Sequence, residues 1–424
     1  MMKKYLLVAS LFCSVGVYSQ NTNSPYSVIG IGDVENNFYN RTSGMANTGY
    51  SYRNDRYIIN NNPASYTALT RQFFNIELSG RAQFINYSGT PITAGSSGSK
   101  DFAIKRLAVG TKVNKWWGSG VGLAPFSTAN YGFSYAKTIV GSAVGLPATV
   151  DGNGSINQVY WNNAFEVTKH FSVGIQTSYL FGSLNQTENL YTSELQESLT
   201  TTNQNFLRSF YFTYGAQFYH PLAKDWDASI GATFSNKTSL ASESTITVTD
   251  NNGQLLSSNI IKEDYFKLPH TFGGGVSLSH IKKIDNANTK KYTWLADYKF
   301  QDWASTKYSG AGFSLQDAQR ISAGFEVSNN LQAYNASFEK TYFQAGLYYG
   351  TSYLSINSEQ LNEMGVTFGY GFTAKRYPSL AGHVMLEIGQ RGTTSNNLIK
   401  ERFVNIGFTV SYRDLWFTKG RKYN

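Results

Sequence analysis

The chain has 424 residues, a formal charge of +9, 30 tyrosines and 28 phenylalanines. Its mean hydropathy is slightly negative and no apolar run of helix-spanning length follows the N-terminal leader, which argues against a helical membrane protein. The basic residues are scattered singly or gathered in turns, without a basic stripe or an interleaved aromatic platform, which argues against nucleic-acid binding.

In chain order, Lys3 and Lys4 precede the apolar run 6–12, and Val17 and Ser19 stand at minus three and minus one to a cleavage site before Gln20. Residues 1–19 therefore read as an export signal. Cys13, the one cysteine, lies inside it, so the mature chain has neither disulfides nor thiol chemistry. Residues 20–71 are rich in Asn, Gly, Ser and Tyr and lack strand periodicity; a segment of this length ahead of a barrel reads as a plug.

From residue 72 a unit of ten or more alternating residues closed by a turn keeps returning, the signature of a transmembrane β-barrel. In the run 171–181, bulky residues fall mainly at odd positions and small or polar ones at even positions, as one face meets lipid and the other a polar lumen. The fold class is all-β: an antiparallel barrel over 72–417, with strands at 72–88, 101–114, 118–136, 154–167, 171–187, 206–220, 227–242, 266–281, 291–303, 317–328, 341–354, 363–374, 380–392 and 400–417. Residues 418–424 form a basic tail. An even strand number leaves both termini on one side. The connections 89–100, 137–153, 188–205 and 243–265 are long and read as hydrated outer loops. The other set is short and holds Lys115, Lys169, Lys224, Lys282, Lys283, Lys375 and Arg376, with Trp116, Trp117, Trp226 and Trp416 as an aromatic belt at that end. Short turns face the periplasm, so the expected location is the outer membrane of a Gram-negative bacterium with periplasmic termini, in contact with membrane lipid and lipopolysaccharide. A soluble β-sandwich adhesin also alternates but does not explain this sorting.

Several stretches together resemble the FadL family, outer-membrane transporters of long-chain fatty acids and other hydrophobic compounds. They are the segment 41–49 followed by Asn62-Pro63-Ala64, the run Lys115-Trp116-Trp117-Gly118-Ser119-Gly120-Val121-Gly122-Leu123-Ala124-Pro125-Phe126, Leu268-Pro269 opening strand eight, Ala296-Asp297 with Trp303 in strand nine, and the closing run 388–393 with 397–401. The last resembles a branch whose substrates are unassigned. The resemblance implies a fourteen-stranded barrel with a plug, and a hydrophobic small molecule that enters from outside, binds above the plug and leaves sideways through a gap in the wall.

The residues themselves leave choices open. Pro125 lacks the N–H that a ladder needs, and Gly118, Gly120 and Gly122 have no side chain to seal the wall, so strand three either opens laterally or is merely twisted there. Asn62, Pro63 and Ala64 read as a turn or as the part of the plug that docks on the wall, and Gly44 and Gly49 permit close packing or positive φ. Asp297, Lys299, Glu387 and Arg391 point inward by strand parity and, with Arg320 as a further candidate cation, either meet a ligand carboxylate or form a salt-bridged lumen that ties plug to wall.

No Gly-x-Ser-x-Gly elbow, metal-ligand spacing or cofactor motif is present, and the chain is not read as an enzyme. The competing reading is a FadL-like barrel that docks other outer-membrane proteins as an accessory subunit of a secretion or assembly complex. An apolar pocket above the plug favours transport; an exposed apolar patch on the outer loops favours docking.

Overall fold

The computed structural model describes residues 24–90, 98–138, 145–192, 197–310, 312–333 and 336–416. The expected leader at 1–19 and the expected basic tail at 418–424 lie outside them.

The alternating stretches form a closed, fourteen-stranded antiparallel barrel. Its strands are β1 (Phe73–Gly89), β2 (Gly98–Lys112), β3 (Trp117–Thr138), β4 (Gly145–Thr168), β5 (Phe171–Thr192), β6 (Glu197–Ala223), β7 (Trp226–Ser235 and Thr238–Thr249), β8 (Leu255–Leu268 and Thr271–Lys283), β9 (Asn288–Gln301), β10 (Ala318–Ala333), β11 (Ala336–Ile356), β12 (Glu359–Thr373), β13 (Leu380–Arg391) and β14 (Ile399–Leu415). The barrel closes where β14 pairs β1 from Ile399↔Gly89 to Leu415↔Phe73. Closure removes the free edges that a flat sheet would leave.

Strand parity sets the two faces. On β13, Val384 and Ile388 are exposed outward, whereas His383, Met385 and Glu387 are buried inward. Outward side chains such as Leu347, Phe343, Val366 and Ile230 give an apolar exterior, the surface that a barrel presents to lipid.

Several strands run well past their expected ends. The predicted loops 137–153, 188–205 and 243–265 are largely hairpin arms: β5 runs to Thr192, β6 starts at Glu197, and β7 and β8 turn between Thr249 and Leu255. These arms are rich in Thr and Ser, as at 200–202 and 245–249. Threonine favours strands, but a run such as Thr200-Thr201-Thr202 carries no apolar alternation, and alternation at Thr245-Ile246-Thr247-Val248-Thr249 lasts only five residues. Strand eight accordingly begins at Leu255, and Pro269 marks its interruption rather than its start. Trp303, expected within strand nine, lies two residues past its end, folds into the barrel mouth and is 1% exposed.

The β2–β3 ladder stops short. β2 and β3 pair only from Lys112↔Gly118 to Leu107↔Leu123, although β2 stays bonded to β1 as far as Gly98 and β3 to β4 as far as Thr138. A register shift at Ser79/Gly80 bulges Lys105 out of the β1 pairing, and another at Pro125/Ser127 bulges Phe126. The two bulges stand on opposite edges of the break and splay the strands.

The N-terminal segment fills the lumen. It contributes short 3-10 turns at Pro25–Val28, Arg41–Met45 and Pro63–Ala68 and a two-residue strand, Asp33–Val34, and its buried residues touch almost every wall strand. Glycines on the inner wall make room: a Cβ on Gly174 would lie 2.5 Å from Ala64 N, and one on Gly324 2.7 Å from Met45 Cβ.

Candidate functional site

The residues singled out by sequence converge on two places, the wall where the N-terminal segment docks and the break between β2 and β3.

At the docking wall, the Asn62 side chain satisfies four groups at once. Its Oδ1 accepts the Ala64 N–H at 3.0 Å, which starts the Pro63–Ala68 turn. Its Nδ2 donates to the carbonyls of Tyr50 (2.9 Å), Ala216 of β6 (3.0 Å) and Ala232 of β7 (3.2 Å). Pro63 suits the first helical position because it has no N–H to lose. Gly44 and Gly49 serve close approach. A Cβ on Gly44 would come 2.7 Å from Gly369 Cα, and one on Gly49 2.8 Å from Thr42 Cγ2. Positive φ falls instead on Gly30, Gly32, Tyr39, Ala46 and Asn47 of the segment.

Gly118, Gly120 and Gly122 lie within the paired part of the β2–β3 ladder, below the break. Gly118 and Gly120 make room for Tyr66: a Cβ on Gly120 would sit 2.5 Å from its ring. Gly122 faces the Tyr160 ring. Pro125 stands just above the last β2–β3 pair, at the bulge.

The vacated edge of β3 is taken by the N-terminal segment. Asp33 pairs Thr128 and Val34 pairs Ser127, antiparallel. The Glu35 N–H donates to the Phe126 carbonyl at 2.9 Å, while its Oε2 accepts from Lys105 Nζ on β2 at 2.8 Å. One residue thus ties both sides of the break. Burial works against the charged Glu35 carboxylate, but Lys105 and then Arg81 outweigh it and hold its pKa below the ordinary carboxylate value. Farther along, the Arg391 guanidinium grips Asp33 through two bonds of 2.9 and 3.0 Å and bonds Glu401 at 2.8 Å, and Tyr353 OH donates to the Gly32 carbonyl at 2.8 Å.

The other inward charges are also internally partnered. Asp297 Oδ2 accepts the N–H groups of Gly49 (2.6 Å) and Tyr50 (3.0 Å). Lys299 donates to Asn36 Oδ1 at 3.0 Å. Arg320 lies over the Tyr348 ring at 3.7 Å and 3.7 Å from Glu363. Glu387 accepts from Tyr348 OH (2.7 Å) and Asn405 (2.9 Å). Three of the five named charges, Asp297, Lys299 and Arg391, bond the N-terminal segment directly.

Sequence reasoning missed Arg41 and the Glu77–Arg106 pair. Arg41 makes two bonds to Glu326 (2.9 Å each) and two to Glu339 (2.7 and 2.6 Å), with Tyr342 3.8 Å from its guanidinium carbon. Glu77 accepts from Arg106 and from the Ile58 N–H. Inward parity flags Glu77 beside Asn75 and Ser79, but the partner of Arg41 is set by a lumen position that parity cannot supply.

Above the charged layer, Tyr26, Ile29 and Ile31 of the segment pack with wall residues including Ile156, Leu207, Phe266, Trp303 and Leu361 into one buried apolar cluster. The lumen cavities beside it are small. One of about 130 Å³ is lined by charges such as Asp33, Arg81, Lys105 and Glu401, and one of about 140 Å³ mixes Tyr211, Phe126 and Trp303 with Asp297 and Lys299. Both fall below the ~300 Å³ at which small-molecule pockets usually begin.

This closed barrel, with a lumen segment and a break beside strand three, has the FadL-type fold. The toluene transporter TodX of Pseudomonas putida superposes with a TM-score of 0.55 at 15% identity over 89% of this chain and 98% of that one. A FadL homologue of Pseudomonas aeruginosa gives 0.55 at 12% over 92% and 100%, and the monoaromatic hydrocarbon channel CymD gives 0.51 at 13% over 88% and 96%. A comparison with curated protein sequences finds no match. The chain belongs to the BamG family, whose model matches residues 1–424.

Proposed function

We propose that this protein is an outer-membrane transport protein for hydrophobic small molecules, with both termini periplasmic and the N-terminal segment acting as plug and gate. A solute enters from outside, displaces Tyr26, Ile29 and Ile31 from the apolar mouth, and leaves sideways into the membrane between β2 and β3. The observation that carries this reading is the ladder that stops at Leu107↔Leu123 and is covered by the separable strand Asp33–Val34. A sideways exit spares an apolar molecule a crossing of the polar, charged lumen. Long-chain fatty acids are the first solutes to test, and the aromatic hydrocarbons named for TodX and CymD the second. We assign no reaction to it.

A second reading is favoured by the packed mouth. With the apolar cluster filled by the chain's own residues and the inner charges paired, the barrel suits a sealed accessory subunit that docks other proteins of a secretion or assembly complex. Uptake of labelled solute by cells with and without the protein, at matched outer-membrane integrity, separates the two. Protein-dependent uptake supports transport; none, together with stable co-isolation of an outer-membrane complex, supports docking.

A further inference from the structure

The outer face of β13, β14, β1 and β2 carries a feature that neither gate nor lumen uses. Where these strands approach the end bearing the long hairpins, three cations point outward on the two strands that flank β1: Lys400 and Arg402 on β14, and Lys100 on β2. Register fixes their spacing. Arg402 stands opposite Asn86, Lys400 opposite Ser88, and Lys100 opposite Phe84. Gln390 flanks Arg402 on the other side. Neighbouring strands are about 4.8 Å apart, so the cations and amides form one patch. Glu401 between them points inward to Arg391, and Asp101 is turned to Arg81.

No ion pair neutralises this trio among the described residues. That sets it apart from exposed lysines elsewhere on the hairpin end, where Lys137 meets Glu188 and Lys262 meets Glu243.

Directly below the patch the wall is concave. A groove of about 730 Å³ opens on the exterior, with Phe84, Val404, Ile388, Val366 and Leu347 in one register row along its apolar lining and Arg402 at its rim. Its volume is in the range of lipid- and drug-sized ligands. An apolar trough capped by unpaired cations is complementary to an acyl chain ending in phosphate, since arginine binds phosphate through paired, charge-assisted bonds and long cationic side chains reach from the apolar zone to the headgroup level.

We propose that this face is a binding site for the phosphorylated, multiply acylated glycolipid of the outer leaflet, lipopolysaccharide, with one acyl chain in the groove and a lipid phosphate held by Arg402, Lys400 and Lys100. The site rests on the outer-membrane reading above. It is independent of whether the gate opens.

The test uses full-length protein purified in mild detergent and native mass spectrometry with three probes: lipid A, enzymatically dephosphorylated lipid A, and phosphatidylethanolamine. The wild type is expected to retain lipid A at least tenfold better than either comparator. Lys100→Ala/Lys400→Ala/Arg402→Ala is expected to lose that preference, while Lys137→Ala keeps it. Heat-modified gel mobility verifies that each barrel is folded. Equal retention of lipid A by the triple variant, or equal retention of dephosphorylated lipid, overturns the site. A photo-crosslinker at Asn86 that captures a protein in cells instead of the glycolipid also overturns it. Membrane fractionation keeps the two readings apart: a protein absent from the outer membrane refutes the location, whereas one correctly placed but without lipid preference refutes only this site.

Discussion

Lys105 Nζ on β2 lies 2.8 Å from Glu35 Oε2, and the Glu35 backbone N–H bonds the Phe126 carbonyl on β3. The two strands flanking the break are joined through a residue that belongs to neither. Both strand partners sit at bulges, so the wall is distorted where the segment substitutes for it.

Weakening that bridge should loosen the segment without unfolding the barrel. In Glu35→Gln the ion pair becomes a neutral hydrogen bond, and charge-assisted bonds are about twice as strong as neutral ones. Hydrogen exchange at residues 33–35 is expected to speed up about tenfold, with heat-modified mobility unchanged. Unaltered exchange would show that Asp33–Arg391 and Tyr353–Gly32 hold the strand alone.

The same pair sets a pH response. Glu35 has a pKa below its unfolded value, so its contribution is present above the ordinary carboxylate pKa of about 4.3 and is lost as pH falls through the lower folded value. Exchange at residues 33–35 is expected to stay flat from pH 8 to about pH 5, after correction for intrinsic rates, and to rise below about pH 4. Glu35→Gln should remove the acid limb assigned to this group.

Crowding the wall should expel the N-terminal segment. In Gly174→Leu the new side chain takes the space of Pro63 and Ala64. The barrel, whose ladder at Gly174 is intact, is expected to fold, with the segment 24–71 becoming sensitive to protease. Protection equal to wild type would mean that the segment does not dock there.

Arg41 is the deepest electrostatic commitment of the segment, with side chains of 1% and 3% exposure for Arg41 and Glu326. Arg41→Ala leaves two carboxylates facing each other without a cation, a loss of about 3–5 kcal/mol for a broken buried pair. Chemical denaturation should show it, and Arg41→Ala/Glu326→Gln/Glu339→Gln should recover part of the loss.

The legible parts of this molecule are those governed by a local period. Alternation at 171–187 and 380–392 gave the strands and their faces, which is why Glu387 and Arg391 could be placed inward. Pro125 could be flagged because a missing N–H is a property of one residue, and it stands just above the last β2–β3 pair while keeping its partner Asn157 on β4. Asp33 and Val34 gave no signal, since two pairing residues between Gly32 and Glu35 make no pattern. Nor could parity say that Arg391 would meet Asp33, because that contact depends on how the segment folds through the lumen. The hairpin arms escaped because their periodic stretches are short or, as at Thr200-Thr201-Thr202, carry no apolar contrast.

On the proposed route, the strand Asp33–Val34 closes an exit between β2 and β3. Residues opposed across an antiparallel pair have Cα atoms about 4.5–5.5 Å apart, within disulfide reach, and Cys13 is the only cysteine of the chain. The direct measurement is uptake of a labelled long-chain fatty acid and of toluene by cells carrying Val34→Cys/Ser127→Cys, oxidised and then reduced. Uptake is expected to stop in the oxidised state and to return to the wild-type rate on reduction. Equal uptake in both states with the disulfide verified, or no protein-dependent uptake in either, would contradict it.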